Sequence, residues 1–299
     1  MDNNRPTCPG RRGTPPNSGD GWVTAPDGER YWGLHGAAGL LAVDPDRGIL
    51  LQHRVSWSHH GDTWALPGGA RHQGESASDA ALREAAEEAG VPAAAVRHRL
   101  LSELDLGVWS YTTLVADVVE PFEPVISDPE SRALAWVPPH RIEALALHPG
   151  FAQSWPRLRR LLEIRPAVVV DAANVIGAVP DGWWKDRAGA AARLLGGMSG
   201  LAARGTPAAV LGLPEQTWYP EYTVVVEGAA RTAADPEAGV RLVRAPGSGD
   251  DAVAAQVRQL AESGRRVTVA TSDRCLAGRC RQEGAAVLGG GAFRELLGY

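Results

Sequence analysis

Arg165-Pro166 divides this chain of 299 residues into two stretches with different hydrophobic rhythms. Ahead of it, the apolar runs Gly39–Val43 and Gly48–Gln52 flank the turn Asp44-Pro45-Asp46-Arg47-Gly48 and read as a hairpin. A helical stretch over Ser76–Ala89, stopped by Gly90, follows the loop His59-His60-Gly61-Asp62 and the run Trp64-Ala65-Leu66-Pro67-Gly68-Gly69. Strand-like runs return at 108–118 and 134–137, and Phe151–Ile164 reads as an amphipathic closing helix. Beyond the break, Ala167–Asp171 (AVVVD) is an apolar run of the kind buried on both faces in a parallel sheet. A helix over 186–204, strands over 208–211, 223–227 and 240–243, a helix over 250–263, a strand over 267–272 and a strand-helix pair over 285–297 then follow. That alternation predicts a doubly wound parallel sheet, and the whole chain is predicted as α/β. The length fits two domains at about 100–200 residues each. They are assigned to 21–164 and 166–299, behind a flexible tail over 1–20 rich in Pro, Gly, Asn and Arg.

Composition excludes several classes. Apolar residues at 44% and charged residues at 22% are ordinary for globular domains. No stretch approaches the ~20 apolar residues of a membrane-spanning helix. The N-terminus lacks the order of a secretory signal, so a cytoplasmic location is expected. Cys8, Cys275 and Cys280 make neither a disulfide framework nor a paired zinc-ligand spacing. Residues 1–165 carry 16 Lys+Arg against 21 Asp+Glu and residues 166–299 carry 14 of each, so the net charge of −5 lies in the first half. Neither half is basic enough to bind nucleic acid by phosphate neutralisation alone. Lys185 is the single lysine, so one arginine taken alone points weakly to a phosphate contact.

Glu84, Glu87 and Glu88 stand at i, i+3 and i+4 of the first predicted helix. At about 100° per residue they span roughly a quarter to a third of its circumference, with Leu82, Ala85, Ala86 and Ala89 on the expected packing side. Like charges at this spacing repel by about a few tenths of a kcal/mol per pair. On these residues alone two readings stand: a solvated acidic face, or carboxylates converging on a divalent cation such as Mg²⁺, which takes oxygen ligands and holds substrate phosphates. Glu75, in the loop before the helix, can reach the same cation or hold Arg83.

The string from Gly69 to Val91 resembles the signature of the Nudix hydrolases: Gly, five residues, Glu, seven residues, Arg-Glu, an aliphatic, any residue, Glu-Glu, any residue, Gly, an aliphatic. Gly69, Glu75, Arg83, Glu84, Glu87, Glu88, Gly90 and Val91 match it without a gap, with Ala85 in the first aliphatic position. The resemblance covers about residues 21–164. It implies an α/β/α sandwich with a mixed sheet that hydrolyses a nucleoside diphosphate derivative or a nucleoside triphosphate with Mg²⁺ or Mn²⁺ on Glu84, Glu87 and Glu88. Glu75 and Arg83 would brace loop and helix. The base would be Glu84, Glu87 or an acid from a later loop, where Glu130 is nearest to Ala135-Trp136-Val137. Trp57, Trp64, Trp109 and Trp155 could stack on a base or fill the core, and His59-His60 could touch phosphate or stand as exposed loop residues.

In an open parallel sheet, ligands bind beyond the carboxyl ends of the strands. Asp171, Glu227, Asp250-Asp251 and Asp273 all fall there. Each taken alone reads as a helix cap; together they read as a cluster that a cation would stabilise. At these residues the segment resembles the NYN branch of the PIN-like nuclease domains: Asp171-Ala-Ala-Asn174, Gly249-Asp250-Asp251-Ala-Val and Thr271-Ser272-Asp273-Arg274 match its motifs over about residues 166–299. The resemblance implies a Rossmann-like sheet and RNA cleavage with Mg²⁺ or Mn²⁺ on Asp171, Asp250, Asp251 and Asp273, with Asn174 orienting the first acid or the scissile phosphate. The expected partners are a nucleotide substrate, RNA at the C-terminal half and no membrane; a homodimer is possible. The alternative is a Nudix enzyme whose second half binds RNA or regulates without cleaving.

Overall fold

The computed structural model describes residues 17–180, 182–236 and 239–298. The chain divides into two compact units, one running to Arg97 and over Glu103–Phe151, the other comprising His98–Ser102 and the residues from Ala152 on.

The first unit opens with an antiparallel pair, β1 (Trp22–Thr24) and β2 (Arg30–Trp32). The expected hairpin is β3 (Ala37–Asp44) and β4 (Gly48–Arg54), closed by Asp44 Oδ1, which accepts from the backbone N–H groups of Asp46 and Arg47 at 3.0 and 2.9 Å. Gly48 adopts φ +101°, which side-chain-bearing residues avoid. The short β5 (Trp64–Ala65) pairs antiparallel with β4 and β6 (Gly68–Ala70) with β3. Helix α1 (Ala77–Ala89) follows, packed on β3, β6 and the strand over 110–118. Strand β7 spans Val96–Asp105, with its residues 98–102 counted in the second unit. Strand β8 (Ser110–Val118) runs parallel to β3 and β9 (Ser131–Val137) antiparallel to β4, so the sheet is mixed. Ala37 to Ala42 of β3 are buried without a break, which makes this strand the middle of the core.

Two expectations change here. Strand β7 was not read from the sequence, because Arg99 and Ser102 are buried in it and blur the apolar alternation. Residues 17–20, expected within the flexible tail, are held by hydrogen bonds: Gln73 N–H donates to the Asn17 carbonyl at 3.0 Å and Leu34 N–H to the Gly19 carbonyl at 2.8 Å. Residues 1–16 lie outside the described residues.

After helix α2 (Pro149–Leu161), the second unit contains a five-stranded sheet in the order β14-β13-β10-β15-β16 in which every neighbouring pair is parallel. The strands are β10 (Pro166–Asp171), β13 (Glu221–Val226), β14 (Val240–Arg244), β15 (Arg266–Ala270) and β16 (Ala286–Leu288). The first of them in sequence lies in the middle, flanked by β13 and β15, which places the reversal of strand order between β10 and β15. Helices α3 (Ala172–Gly177) and α4 (Arg187–Arg204) lie between β10 and β13, α6 (Gly249–Glu262) joins β14 to β15, α7 (Arg274–Gln282) joins β15 to β16, and α8 (Gly290–Leu297) follows the last strand. Residues 208–211, expected as a strand, form the short helix α5 (Ala208–Leu211), ended by Gly212 at φ +59°. A four-residue apolar run has no period that separates strand from helix. The strands at that place are the flanking β11 (Thr206–Pro207) and β12 (Thr217–Trp218), paired antiparallel. Among the described residues no helix is long and apolar enough to cross a membrane.

Candidate functional site

Ser76 caps α1 by accepting from Asp79 N–H at 3.1 Å, and Gly90 ends the helix at φ +65°. The three glutamates therefore sit in the last two turns. They do not share one solvent face, as the spacing predicted. Ala81, Ala85 and Glu88 stand at i, i+4 and i+7, and this stripe packs inward with Ala80 and Ala89, while Ala86 is exposed and Leu82 half-buried. Glu88 is 7% exposed and accepts from Gly68 N–H at 2.9 Å.

Arg83 organises the rest. Its Nε and Nη2 donate to the two carboxylate oxygens of Glu75 at 2.9 and 3.0 Å. Nη1 donates to Glu84 at 2.8 Å and Glu87 at 3.3 Å, and Nη2 also to the Ala70 carbonyl at 2.9 Å. Glu75 accepts in addition from His72 N–H at 2.9 Å. The Arg83 hydrogen bonds pull the Glu75 carboxyl below its ordinary range despite partial burial. A Cβ on Gly69 would lie 2.6 Å from the Glu84 carboxyl group, so the signature glycine is needed for close approach. Burial, opposed by Arg83, raises Glu84. Burial, and after it the charge of Glu84, pushes Glu88 up to about 8. Burial also raises Tyr111, whose hydroxyl lies where side chains on Gly39 or Gly68 would go.

Two acids that the sequence did not single out act on this cluster: Asp20 on Glu84 and Asp128 on Glu88. Asp20 was hidden in the supposed tail. Asp128, two residues before Glu130, is an acid of the later loop that acts on Glu88, and Ser127 N–H donates to the Glu88 carbonyl at 3.4 Å. Arg83 alone cannot neutralise Glu75, Glu84, Glu87 and Glu88. A buried carboxylate pushed to about 8, beside a second raised one, is a donor set that fits a hard divalent cation.

In the second unit, Asp171 ends β10 and is buried. Its Oδ1 accepts from Asn174 N–H at 3.2 Å and its Oδ2 from the Thr271 hydroxyl at 2.9 Å, across the β10/β15 reversal point. Asn174 Oδ1 accepts from Ser272 N–H at 3.1 Å. Asp273 caps α7, accepting from Leu276 N–H at 2.7 Å, and its own N–H donates to Thr271 Oγ1 at 3.1 Å. Burial first, and then the charges of Asp171, Asp273 and Glu227, raise Asp250. Glu227 accepts from Gly249 N–H at 2.8 Å, so the longer acid reaches the start of α6. Asp251, expected with the others, is paired instead with Arg279 at 2.8 Å. Hydrogen bonds thus link Asp171, Asn174 and Asp273 through Thr271 and Ser272, and Asp250 feels the charges of Asp171, Asp273 and Glu227, while Asp251 pairs with Arg279. Of the four tryptophans weighed for stacking, Trp155 is fully buried core and Trp57 is exposed.

The glutamate helix over a mixed sheet, braced by Arg83, defines a Nudix-type hydrolase. A profile of the NUDIX domain matches residues 33–160, and the chain belongs to the Nudix family, whose members hydrolyse phosphoric anhydride bonds. A Mycobacterium tuberculosis protein provisionally named 8-oxo-dGTP diphosphatase 3 is 48% identical over 151 residues, 47% of this chain and 69% of that protein. A nucleoside triphosphate pyrophosphatase/Nudix hydrolase fusion protein of Bifidobacterium longum is 37% identical over 153 residues, 48% of this chain and 32% of the fusion protein. The crystal structure of a Nudix hydrolase from M. smegmatis aligns with a TM-score of 0.45 at 48% identity, covering 48% of this chain and 95% of that one.

Proposed function

We propose that this chain is a divalent-cation-dependent pyrophosphohydrolase of nucleoside triphosphates of the 8-oxo-dGTP kind or of nucleoside diphosphate derivatives. Its C-terminal domain is a metal-dependent ribonuclease of the PIN-like NYN type. The domain boundary is placed at Arg165-Pro166, with residues 21–164 and 166–299 on either side; the family match ending at residue 160 supports it. The observation that carries the first activity is the Arg83 bridge, which fixes Glu75 and Glu84 while Glu88 stays buried and protonatable beside them. The similarity to the 8-oxo-dGTP diphosphatase-named protein supports the substrate class.

Glu84, Glu87 and Glu88 would hold Mg²⁺ or Mn²⁺, which supplies charge neutralisation at the diphosphate and a more acidic water. Arg83 holds the Glu84 carboxylate by a hydrogen bond, and Glu75 in turn fixes the Arg83 guanidinium. Gly68 N–H fixes Glu88 through one oxygen. Glu84, Glu87 or the later-loop acid Asp128 would take the proton of the attacking water.

The second activity rests on a different observation: Asp171 ends the strand beside the order reversal and shares Thr271 with Asp273, and both, with Glu227, act electrostatically on Asp250. Those carboxylates would hold one or two Mg²⁺ or Mn²⁺ ions, and Asn174 would steer a phosphate. The alternative reading keeps the Nudix activity and makes the second domain an RNA-binding or regulatory module. Full-length protein incubated with RNA and Mn²⁺ separates the two: cleavage lost in Asp171→Asn supports the nuclease, and binding without cleavage supports the alternative. A nucleotide panel with Mg²⁺, scored for monophosphate, pyrophosphate and orthophosphate, tests the first activity.

A further inference from the structure

Three histidines that the glutamate site does not use stand together in the first unit. His59 and His60 lie in the loop between β4 and β5, and His148 lies just before α2. One ring nitrogen of each lies within 4.8 Å of the others. The His60 ring meets both neighbours edge-on, its centroid 4.0 Å from that of His59 and 4.8 Å from that of His148.

The backbone holds this grouping in place. His148 N–H donates to the Trp64 carbonyl at 2.9 Å and Trp64 N–H to the Ala146 carbonyl at 2.8 Å, which ties the His148 segment to β5. Across the loop, Gly61 N–H donates to the Ser58 carbonyl at 2.9 Å, Asp62 N–H to the Arg54 carbonyl at 3.1 Å, and the Thr63 hydroxyl to the His60 carbonyl at 2.6 Å. A Cβ on Gly61 would sit 2.4 Å from the Val55 carbonyl oxygen, so the reversal after the two histidines needs glycine.

We propose that His59, His60 and His148 form a second metal site, for an imidazole-seeking transition ion of the Zn²⁺ type, separate from the oxygen-ligand glutamate site. Imidazole suits Zn²⁺, Cu²⁺ and Ni²⁺, whereas Mg²⁺ takes oxygen. Nitrogens about 2.0–2.1 Å from a tetrahedral zinc are about 3.3 Å apart, so closure by up to about 1.5 Å is required, within the reach of rotamer changes at the exposed His59 and His60. Three protein ligands leave a fourth position open to water.

The surroundings of His59 and His148 favour the neutral ring, which binds metal, over the charged one, which would bind phosphate. Burial drives His148 down to about 4 and lowers His59. Arg54 adds to both shifts, and its field also opposes a dication, so the site is weaker than a closed four-ligand zinc site. His148 Nδ1 accepts from Gly150 N–H at 3.2 Å. Metal on Nδ1 replaces that hydrogen bond, and metal on Nε2 moves the ring proton to Nδ1 and breaks it. Either way one half-buried hydrogen bond is exchanged for a coordinate bond.

The test is calorimetric titration of untagged, metal-free full-length protein with Zn²⁺ in saturating Mg²⁺, paired with the visible spectrum of the Co²⁺ form. One equivalent is expected, with affinity falling roughly tenfold or more in His59→Ala, His60→Ala and His148→Ala. It should be unchanged in Glu87→Gln and Cys275→Ser, and the Co²⁺ spectrum should lack a thiolate charge-transfer band. The exposed His59→Ala variant keeps the test valid if His148→Ala fails to fold. Absence of zinc binding, affinity unchanged in the histidine variants, or loss in Glu87→Gln or Cys275→Ser instead overturns the proposal.

Discussion

Arg83 grips both carboxylate oxygens of Glu75 while its remaining nitrogen reaches Glu84, so one guanidinium ties the loop ahead of α1 to the helix face. Both partners of the Glu75 pair are largely shielded, their side chains 22% and 14% exposed. Hydrogen bonds to charged groups contribute about 1.5–3 kcal/mol each. Arg83→Ala should therefore cost about 2–4 kcal/mol in urea denaturation, and Arg83→Lys, which cannot form the fork, nearly as much. A loss under about 0.5 kcal/mol, the range of ordinary surface substitutions, would contradict the bracing role.

Gly69→Ala tests steric clearance without touching a charge. The new methyl group would sit 2.6 Å from the Glu84 carboxyl group, and Gly69 does not have a positive φ that alanine would strain. Glu84 must move, and a displacement near 1 Å in a catalytic array costs on the order of 100-fold in rate. Steady-state hydrolysis with circular dichroism as the fold control measures it. Wild-type kcat in a folded Gly69→Ala protein would remove Glu84 from the reaction.

Burial gives the cation-free protein a characteristic pH profile. Glu88 stands at about 8 when folded against an ordinary 4.5, so the folded state holds a proton that the unfolded state has lost between those values. Its contribution is complete below about 4.5 and is lost as pH rises through about 8. Melting in EDTA should show stability declining from pH 5 to pH 8, with the decline reduced by Glu88→Gln and by added Mg²⁺. An identical slope in the variant would place the titration elsewhere.

The second unit predicts an asymmetry between neighbours in sequence. Asp250 shares a field with Asp171, Asp273 and Glu227, whereas Asp251 is tied to Arg279. Asp250→Asn and Asp171→Asn should abolish Mn²⁺-dependent RNA cleavage, and Asp251→Asn should leave it within about twofold, as for an exposed ion pair. Equal losses at 250 and 251 would contradict the grouping.

The glutamate string was legible because its spacing belongs to one helix and its members are chemically distinctive. What was not legible is which way each member points. Glu88 falls on the Ala81-Ala85 stripe, and burial of a carboxylate there depends on Gly68 N–H from another strand. Asp20 and Asp128 escaped because electrostatic neighbours across a fold leave no mark in local sequence. The parallel sheet was readable from apolar runs such as Ala167–Asp171, but its order, and with it the meeting of Asp171 and Thr271, depends on pairings about 100 residues apart. Buried Arg99 hid β7, and Ala208–Leu211 was too short to declare its period.

Hydrolysis of 8-oxo-dGTP by the full-length protein with Mg²⁺, compared with Glu87→Gln and Glu88→Gln, tests whether the glutamate helix carries the reaction. Monophosphate and pyrophosphate are expected from the wild type, none after EDTA, and a rate reduced by roughly 100-fold or more in both variants. Wild-type rates in both variants, or no hydrolysis of 8-oxo-dGTP or of any nucleoside triphosphate or diphosphate derivative, would contradict that role.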